Sequence, residues 1–221
     1  MCHVSVFEFF ISEARKEEFE GKSVLEVGSR YVNGSVRPMI VNFLQPSQYL
    51  GVDVESGPLV DLVLPAEKLL EFFGPESFDV VISTELLEHV QDWRLIINNM
   101  KSVLRTGGYM YISTRSYGFP FHAYPYDFWR YELNDMKKIF ADFDIIKLKQ
   151  DKEAPCVFLK ARKPAGWRPV DMSGLALYSM VLDRRTTAIP TSNQMPFTKR
   201  MQVSVRTLLV ALLDIIRRKG I

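Results

Sequence analysis

Short β-branched runs alternate with stretches of helical spacing along the first 162 residues of the chain. Val24-Leu25-Glu26-Val27-Gly28, Tyr49-Leu50-Gly51-Val52-Asp53 and Phe78-Asp79-Val80-Val81-Ile82-Ser83-Thr84 are apolar runs that stop at a polar residue or glycine. Runs of this kind, flanked by Gly and charge, read as fully buried parallel strands. Leu62–Leu64 and Tyr109–Ser113 add two more, and Asp144–Lys149 with Cys156–Arg162 form a terminal hairpin. Between the strands the spacing predicts helices over Phe7–Glu20 with Gly21 as its stop, Val36–Leu44 with Pro38 in its first turn, and Pro65–Phe73 before Gly74-Pro75. Two more follow, over Leu86–Leu104 before Gly107-Gly108 and over Leu133–Phe140. Strand and helix in alternation predict an α/β fold.

Beyond Arg162 the pattern changes. Lys163–Pro169 reads as a linker, and residues 184–200 are polar with two prolines. Val205, Leu208, Leu209, Leu212, Leu213 and Ile216 then mark one apolar helical stripe, with Arg217-Arg218-Lys219 at the end that favours cations. The stripe is shorter than the ~20 residues that span a bilayer. It suits docking on the rest of the chain, a homodimer seam, or peripheral membrane contact. The division expected is 1–163 for the main domain and 164–221 for a C-terminal extension with an amphipathic helix.

Composition narrows the setting. A chain of 221 residues, 47% hydrophobic and 12% aromatic, can bury a substantial core. A net charge of +2 announces no nucleic-acid partner. Cys2 and Cys156 make a poor disulfide framework, and the first residues lack the basic region and cleavage site of a signal peptide, so a cytoplasmic setting is expected.

Candidate chemistry gathers at the strand ends, where open α/β sheets bind ligands. Asp53 follows Gly28 by 25 residues, near the spacing at which an acid accepts hydrogen bonds from both ribose hydroxyls. After Gly28 the chain runs Ser29-Arg30-Tyr31-Val32-Asn33-Gly34-Ser35, with neither G-x-G-x-x-G nor a phosphate-binding G-x-x-x-x-G-K-[ST] loop. A pyrophosphate has no evident seat, which disfavours NAD and ATP. A nucleoside without phosphates, beside a Glu26 able to face an ammonium, points to S-adenosylmethionine.

The order VLEVGS, YLGVDV, FDVVISTELLEHV, LRTGGYMYIST resembles the class I S-adenosylmethionine-dependent methyltransferases, especially the broad type 11 group, over about Ser23 to Arg162. Asn33-Gly34-Ser35-Val36-Arg37-Pro38 and the segment His122-Ala123-Tyr124-Pro125-Tyr126-Asp127-Phe128-Trp129-Arg130-Tyr131 look like a subgroup with an H-x-Y-P-x-D-[FY]-W-R-[FY] signature. The resemblance implies a Rossmann-like, seven-stranded, mostly parallel sheet with helices on both faces, S-adenosylmethionine as cofactor, and methyl transfer as the reaction. The N-terminal helix is expected over the cofactor edge.

The expected cofactor set is Glu26, Gly28, Ser29, Arg30, Asp53, Val54, Pro65, Ala66, Thr84 and Glu85. Glu26 is the strongest member, because a carboxylate closing a buried strand needs a partner. Arg30 and Arg37 could meet the methionine carboxylate or be held in salt bridges. Pro65-Ala66 replaces the usual Asp-Ala of the resembling family, which moves adenine contacts to backbone. Thr84 and Glu85 could equally cap the turn that follows.

On the acceptor side His122 is the candidate base, with Tyr124 and Asp127 orienting it or the substrate. Aromatic residues there could instead roof the sheet. His89 reads as a structural hydrogen bond where a helix begins. His3, His89 and His122 are scattered along the chain, so no metal is expected. The activity read from this pattern is transfer of a methyl group to O or N of a small molecule, a sugar or natural-product intermediate. Alternatives are protein or RNA methylation, a non-catalytic S-adenosylmethionine-binding scaffold, and, disfavoured by the missing glycines, an NAD-dependent oxidoreductase.

Overall fold

A computed structural model describes residues 3–122, 126–151, 154–197 and 201. Tyr124 and the predicted helix over Val205–Ile216 lie outside the described residues.

The apolar runs become strands β1 (Ser23–Val27), β2 (Gln48–Asp53), β3 (Leu62–Val63), β4 (Phe78–Thr84) and β5 (Leu104–Arg115). These five are mutually parallel, and the hairpin β7 (Asp144–Asp151) and β8 (Cys156–Arg162) completes a sheet in the order β3-β2-β1-β4-β5-β8-β7, preceded in the chain by the two-residue β6 (Trp129–Arg130). β8 runs antiparallel to both its neighbours. The chain leaves β1 toward β2 and β3, then returns to place β4 on the other side of β1. That reversal makes the β1–β4 crevice the switch point at which such sheets bind ligands.

Both sheet faces are covered, which is why the strands read as continuous apolar runs. On one face Val24, Val80, Ile82, Tyr111 and Phe158 meet the N-terminal segment and Val36 and Ile40. On the other, Leu25, Val27, Val81, Met110, Ile112 and Leu159 meet Trp93, Ile97, Met100, Met136 and Ile139. Period-two alternation along β1 therefore turns Glu26 toward the first face.

Several helices differ from expectation in ways their caps explain. The helix predicted over Phe7–Glu20 is broken into α1 (Val4–Glu13) and α2 (Lys16–Phe19). Ala14 turns extended, and the Glu18 carboxylate accepts the Arg15 backbone N–H at 3.2 Å, starting a second helix. Phe9 and Phe10 of α1 pack against Tyr111 and Phe158 over β5 and β8. The first crossover is α3 (Arg37–Met39), continued by π-helical turns over Ile40–Leu44. A 3-10 turn over Ala66–Lys68 leads into α4 (Leu69–Phe73).

The helix predicted from Leu86 begins only at Trp93, as α5 (Trp93–Val103), where Asp92 Oδ1 accepts the Leu95 N–H at 3.2 Å. Residues 85–92 form turns instead, starting at Glu85, whose φ of 55° no helix allows. After α6 (Leu133–Ile139) and the hairpin, the segment read as a linker is anchored. Lys163 Nζ donates to the carbonyls of Lys101 at 3.0 Å and Leu104 at 2.6 Å, and Trp167 Nε1 to Asp142 Oδ2 at 2.8 Å. β9 (Leu177–Ser179) and β10 (Arg184–Thr186) then pair with β6 as a small antiparallel sheet, and Met172, Leu177, Val181 and Met195 join the main core.

Candidate active site

The carboxyl ends of β1, β2, β3 and β4 bring the expected cofactor residues to one edge. Gly28, at φ +83°, turns the chain off β1, and the N–H groups of Gly28 and Ser29 both donate to Val52 O at 2.9 and 3.0 Å. A Cβ on Gly51 would lie 2.6 Å from Ser29 Oγ, so glycine there lets Ser29 seat against β2. Ser29 Oγ is buried against β2 with no hydrogen-bond partner.

Glu26 is 2% exposed, and Tyr49 OH donates to its Oε2 at 2.9 Å. Burial pushes its carboxyl up to about 7, against the opposing pull of the Tyr49 hydrogen bond and the Arg37 charge. A carboxylate so poorly solvated gains most from a cationic ligand group. Asp53 Oδ2 accepts the Arg30 N–H and Oδ1 the Glu55 N–H, each at 3.2 Å, which fixes the carboxylate at the end of β2 beside the exposed Val54. Pro65 and Ala66 follow β3, and Asn99 ties the Ala66 carbonyl down at 3.1 Å. Thr84 closes β4, and the Glu85 N–H donates to Ser113 O at 2.9 Å.

Both arginines are held in ion pairs. Arg30 joins Glu55, so its backbone and not its guanidinium reaches Asp53. Arg37 grips Asp61 through Nη1 at 2.7 Å and Nη2 at 3.2 Å. The Glu85 carboxylate also turns away from the β1 turn, to Arg115 and to Cys156, whose Sγ lies 3.3 Å from it.

A second group of polar side chains lies past the ends of β4 and β5. Asp127, 0% exposed, receives Arg130 Nη1 at 2.5 Å and Nη2 at 2.9 Å, and its Oδ2 lies 3.0 Å from both the backbone N and Nδ1 of His122. Burial alone would raise this carboxyl, but the hydrogen bonds from Arg130 and His122 outweigh it and hold Asp127 well below the usual carboxylate range. Asp127 is therefore ionised and holds the His122 proton on Nδ1, leaving Nε2 as the basic nitrogen. The Arg115 guanidinium lies 3.9 Å from the centre of the Phe119 ring above this group.

His89 makes the structural hydrogen bond expected of it, though from a turn and not a helix start, and the expectation of scattered histidines changes. His89 sits in a turn, and its Nδ1 lies 2.5 Å from Tyr126 O. The sequence scatter of His89 and His122 does not survive folding, since their rings meet edge to face at 4.9 Å and both approach the buried Glu88. The sequence reading passed over Glu88, Arg115 and Arg130. The signal for Glu88 was present in Glu85-Leu86-Leu87-Glu88-His89, an acid beside a histidine just past a buried strand.

Comparison with known proteins agrees with this arrangement. A family described as methyltransferase domain matches residues 7–145. The ubiquinone biosynthesis O-methyltransferase of Xanthomonas euvesicatoria is 41% identical over 61 residues, 28% of this chain and 26% of that protein, so the match spans about a quarter of the curated relative's length. A chain from a Haloferax volcanii complex that contains the Trm112 methyltransferase activator superposes with a TM-score of 0.58 at 14% identity, over 73% of this chain and 90% of that one. The 1,6-didemethyltoxoflavin-N1-methyltransferase of Burkholderia thailandensis, solved with bound 1,6-didemethyltoxoflavin and S-adenosylhomocysteine, gives a TM-score of 0.52 at 14% identity over 73% of this chain and 77% of that one. With more than half of its length matched to that family and a sheet of the same architecture, the chain belongs to the class I methyltransferases, whose methyl donor is S-adenosylmethionine.

Proposed function

We propose that the protein transfers a methyl group from S-adenosylmethionine to O or N of a small molecule. The observation that supports this reading is that Glu26, the Gly28-Ser29 turn and Asp53 stand at the carboxyl ends of the adjacent strands β1 and β2, while Asp127 holds His122 by Nδ1 past the ends of β4 and β5. The cofactor, when bound, supplies a sulfonium methyl and a neutral thioether leaving group.

In this reading Glu26 faces the amino group of the cofactor, the Gly28-Ser29 turn approaches its methionine part, and Asp53 takes the ribose hydroxyls. Val54, Pro65 and Ala66 border the adenine, Arg30 contributes through its backbone, and Thr84 and Glu85 shape the floor between the two halves. His122 Nε2 accepts the acceptor's proton, Asp127 holds its tautomer, and Tyr124 stands beside them in sequence. Positioning carries most of the acceleration of such a displacement, of the order of 7–11 kcal/mol. The base adds ~10²–10⁴-fold for a hydroxyl acceptor. Support for a small acceptor comes from the names of the two relatives above, one an O- and one an N-methyltransferase.

Calorimetric titration with S-adenosylhomocysteine, followed by transfer of labelled methyl to a panel of phenols, sugars and amines, tests the reading. Binding with transfer to at least one small acceptor is expected. Absence of S-adenosylhomocysteine binding overturns it, and binding with transfer only to protein or RNA replaces the acceptor class.

A further inference from the structure

Glu88, His89 and His122 meet with their hydrogen bonds already arranged for a different partner. Each histidine has one ring nitrogen engaged. His89 Nδ1 lies 2.5 Å from Tyr126 O, an atom that can only accept, so Nδ1 carries the proton and Nε2 a lone pair. His122 Nδ1 is likewise committed to Asp127 Oδ2 at 3.0 Å. The Glu88 side chain is fully buried, and Thr114 Oγ1 donates to its Oε2 at 2.8 Å. Glu88 Oε1 has no hydrogen-bond partner; His89 Nε2 lies 3.8 Å and Arg115 Nε 3.9 Å from it. A lone pair on a buried carboxylate oxygen thus confronts one on a partly exposed imidazole, an arrangement that a cation between them would satisfy.

We infer that Glu88, His89 and His122 bind a divalent first-row transition cation. Two imidazoles and one carboxylate suit such ions, and leave coordination positions open for another ligand. Each ligating group has the outer partner that metal ligands usually have: Tyr126 O for His89, Asp127 for His122, Thr114 for Glu88. The candidate ligand atoms lie within 4.8 Å of one another, whereas ligands at ~2.1 Å from one ion stand about 3–3.5 Å apart. The half-exposed imidazoles therefore draw inward on binding, by about 1 Å or somewhat more. Arg115 Nε, 3.9 Å from Glu88 Oε1, is the opposing charge, and Glu85 is paired with it.

The inference rests on this cleft being the acceptor side, and it changes the task of His122 when the ion is bound, from base to ligand. An acceptor hydroxyl at an open position would lose its proton to water more readily. The O–CH3 bond then forms as the S–CH3 bond breaks, and the thioether leaves neutral.

The test is titration of the full chain, stripped with chelator and dialysed, with Co²⁺ and Zn²⁺. Expected are one equivalent of Co²⁺ per chain with a visible absorption band, at least tenfold weaker binding for His89→Ala and Glu88→Gln, and ~10–100-fold weaker binding for Thr114→Val. His3→Ala serves as the unchanged control. Should Glu88→Gln fail to fold, His89→Ala, at a partly exposed position, carries the test. Binding that is substoichiometric, or equal in wild type and His89→Ala, overturns the site and leaves a proton or water between the lone pairs. Titration of the stripped protein with S-adenosylhomocysteine separates the two ideas. Cofactor binding without metal binding sinks the cation site alone, and metal binding without cofactor binding sinks the methyltransferase reading of the cleft.

Discussion

Asp127 Oδ2 lies 3.0 Å from His122 Nδ1, while the Arg130 guanidinium clamps the same carboxylate from the other side. The two partners of Asp127 are therefore unequal. Arg130 is wholly buried and shares its charge with Asp127, and it also donates to the carbonyls of Phe119 and Pro120 at 3.1 and 3.0 Å. His122 hangs at the exposed end of that pair.

This asymmetry separates a chemical role from an architectural one. His122→Asn is expected to lower turnover by ~10²–10⁴-fold with little change in S-adenosylhomocysteine affinity or melting temperature. Asp127→Asn leaves Arg130 buried without its counter-charge and should cost ~3–5 kcal/mol of stability. Kinetics and thermal melts of the two variants check this, and full turnover in His122→Asn on the identified acceptor removes the residue from the chemistry.

At the other end of the site, Asp53→Ala should weaken cofactor binding by ~1.5–3 kcal/mol, the worth of hydrogen bonds to a charged group. Part of that loss belongs to the loop, since Asp53 also receives the N–H groups of Arg30 and Glu55. Asp53→Asn keeps an acceptor for the loop and loses the charge. Calorimetry on both variants apportions the effect, and unchanged affinity in both would end the ribose assignment.

Glu26 gives a pH signature with a definite sign. Its carboxyl is raised by burial from 4.5 to about 7, so the folded protein holds a proton that the unfolded chain releases. The contribution to stability is complete below pH 4.5 and is lost as the pH rises through about 7. Its full size is of the order of 3 kcal/mol. Melting of the cofactor-free protein between pH 4.5 and 8 should show this decline, and Glu26→Gln, which still accepts from Tyr49, should flatten it. Equal slopes for the two proteins would remove Glu26 as the source.

How far the sequence carries can be seen at particular residues. Strands β2 and β8 start where Gln48, ahead of its apolar run, and Cys156, after the loop that ends at Pro155, place them, because a strand covered on both faces is written as a contiguous run. The places of Glu26 and Asp53 near the carboxyl ends of β1 and β2 are legible for the same reason, as carboxylates at or beside the end of such runs. The segment Glu85–Asp92 was not legible. Its leucines have helical spacing, but the left-handed turn at Glu85 and the buried polar cluster beneath it are set by Ser113, Arg115 and Cys156, residues 28–71 positions away. The pairing of His89 with His122 is long-range in the same sense, as is the anchoring of Trp167 on Asp142.

Asp142 is where that last anchoring can be tested. Its Oδ1 receives the buried Lys101 Nζ at 2.6 Å, and its Oδ2 receives Trp167 Nε1 at 2.8 Å and the Val170 N–H at 3.2 Å. One carboxylate thus ties α5 to the start of the C-terminal segment. Burial pulls the Lys101 ammonium below its ordinary range, and only Asp142 opposes that pull with charge. Asp142→Ala leaves the ammonium buried beside Phe140 and Phe143 and releases two donors of the segment, so a loss of ~3–5 kcal/mol is expected. Asp142→Asn retains an acceptor for Trp167 and should lose less. Because Arg94 independently holds the carbonyls of Met172 and Leu175 at 2.8 and 2.7 Å, Asp142→Ala should also make cleavage by a protease appear near Trp167 before it appears beyond Leu175. Denaturant melts with limited proteolysis measure both effects, and a variant as stable and as resistant as wild type would show that the segment is held by its apolar contacts alone.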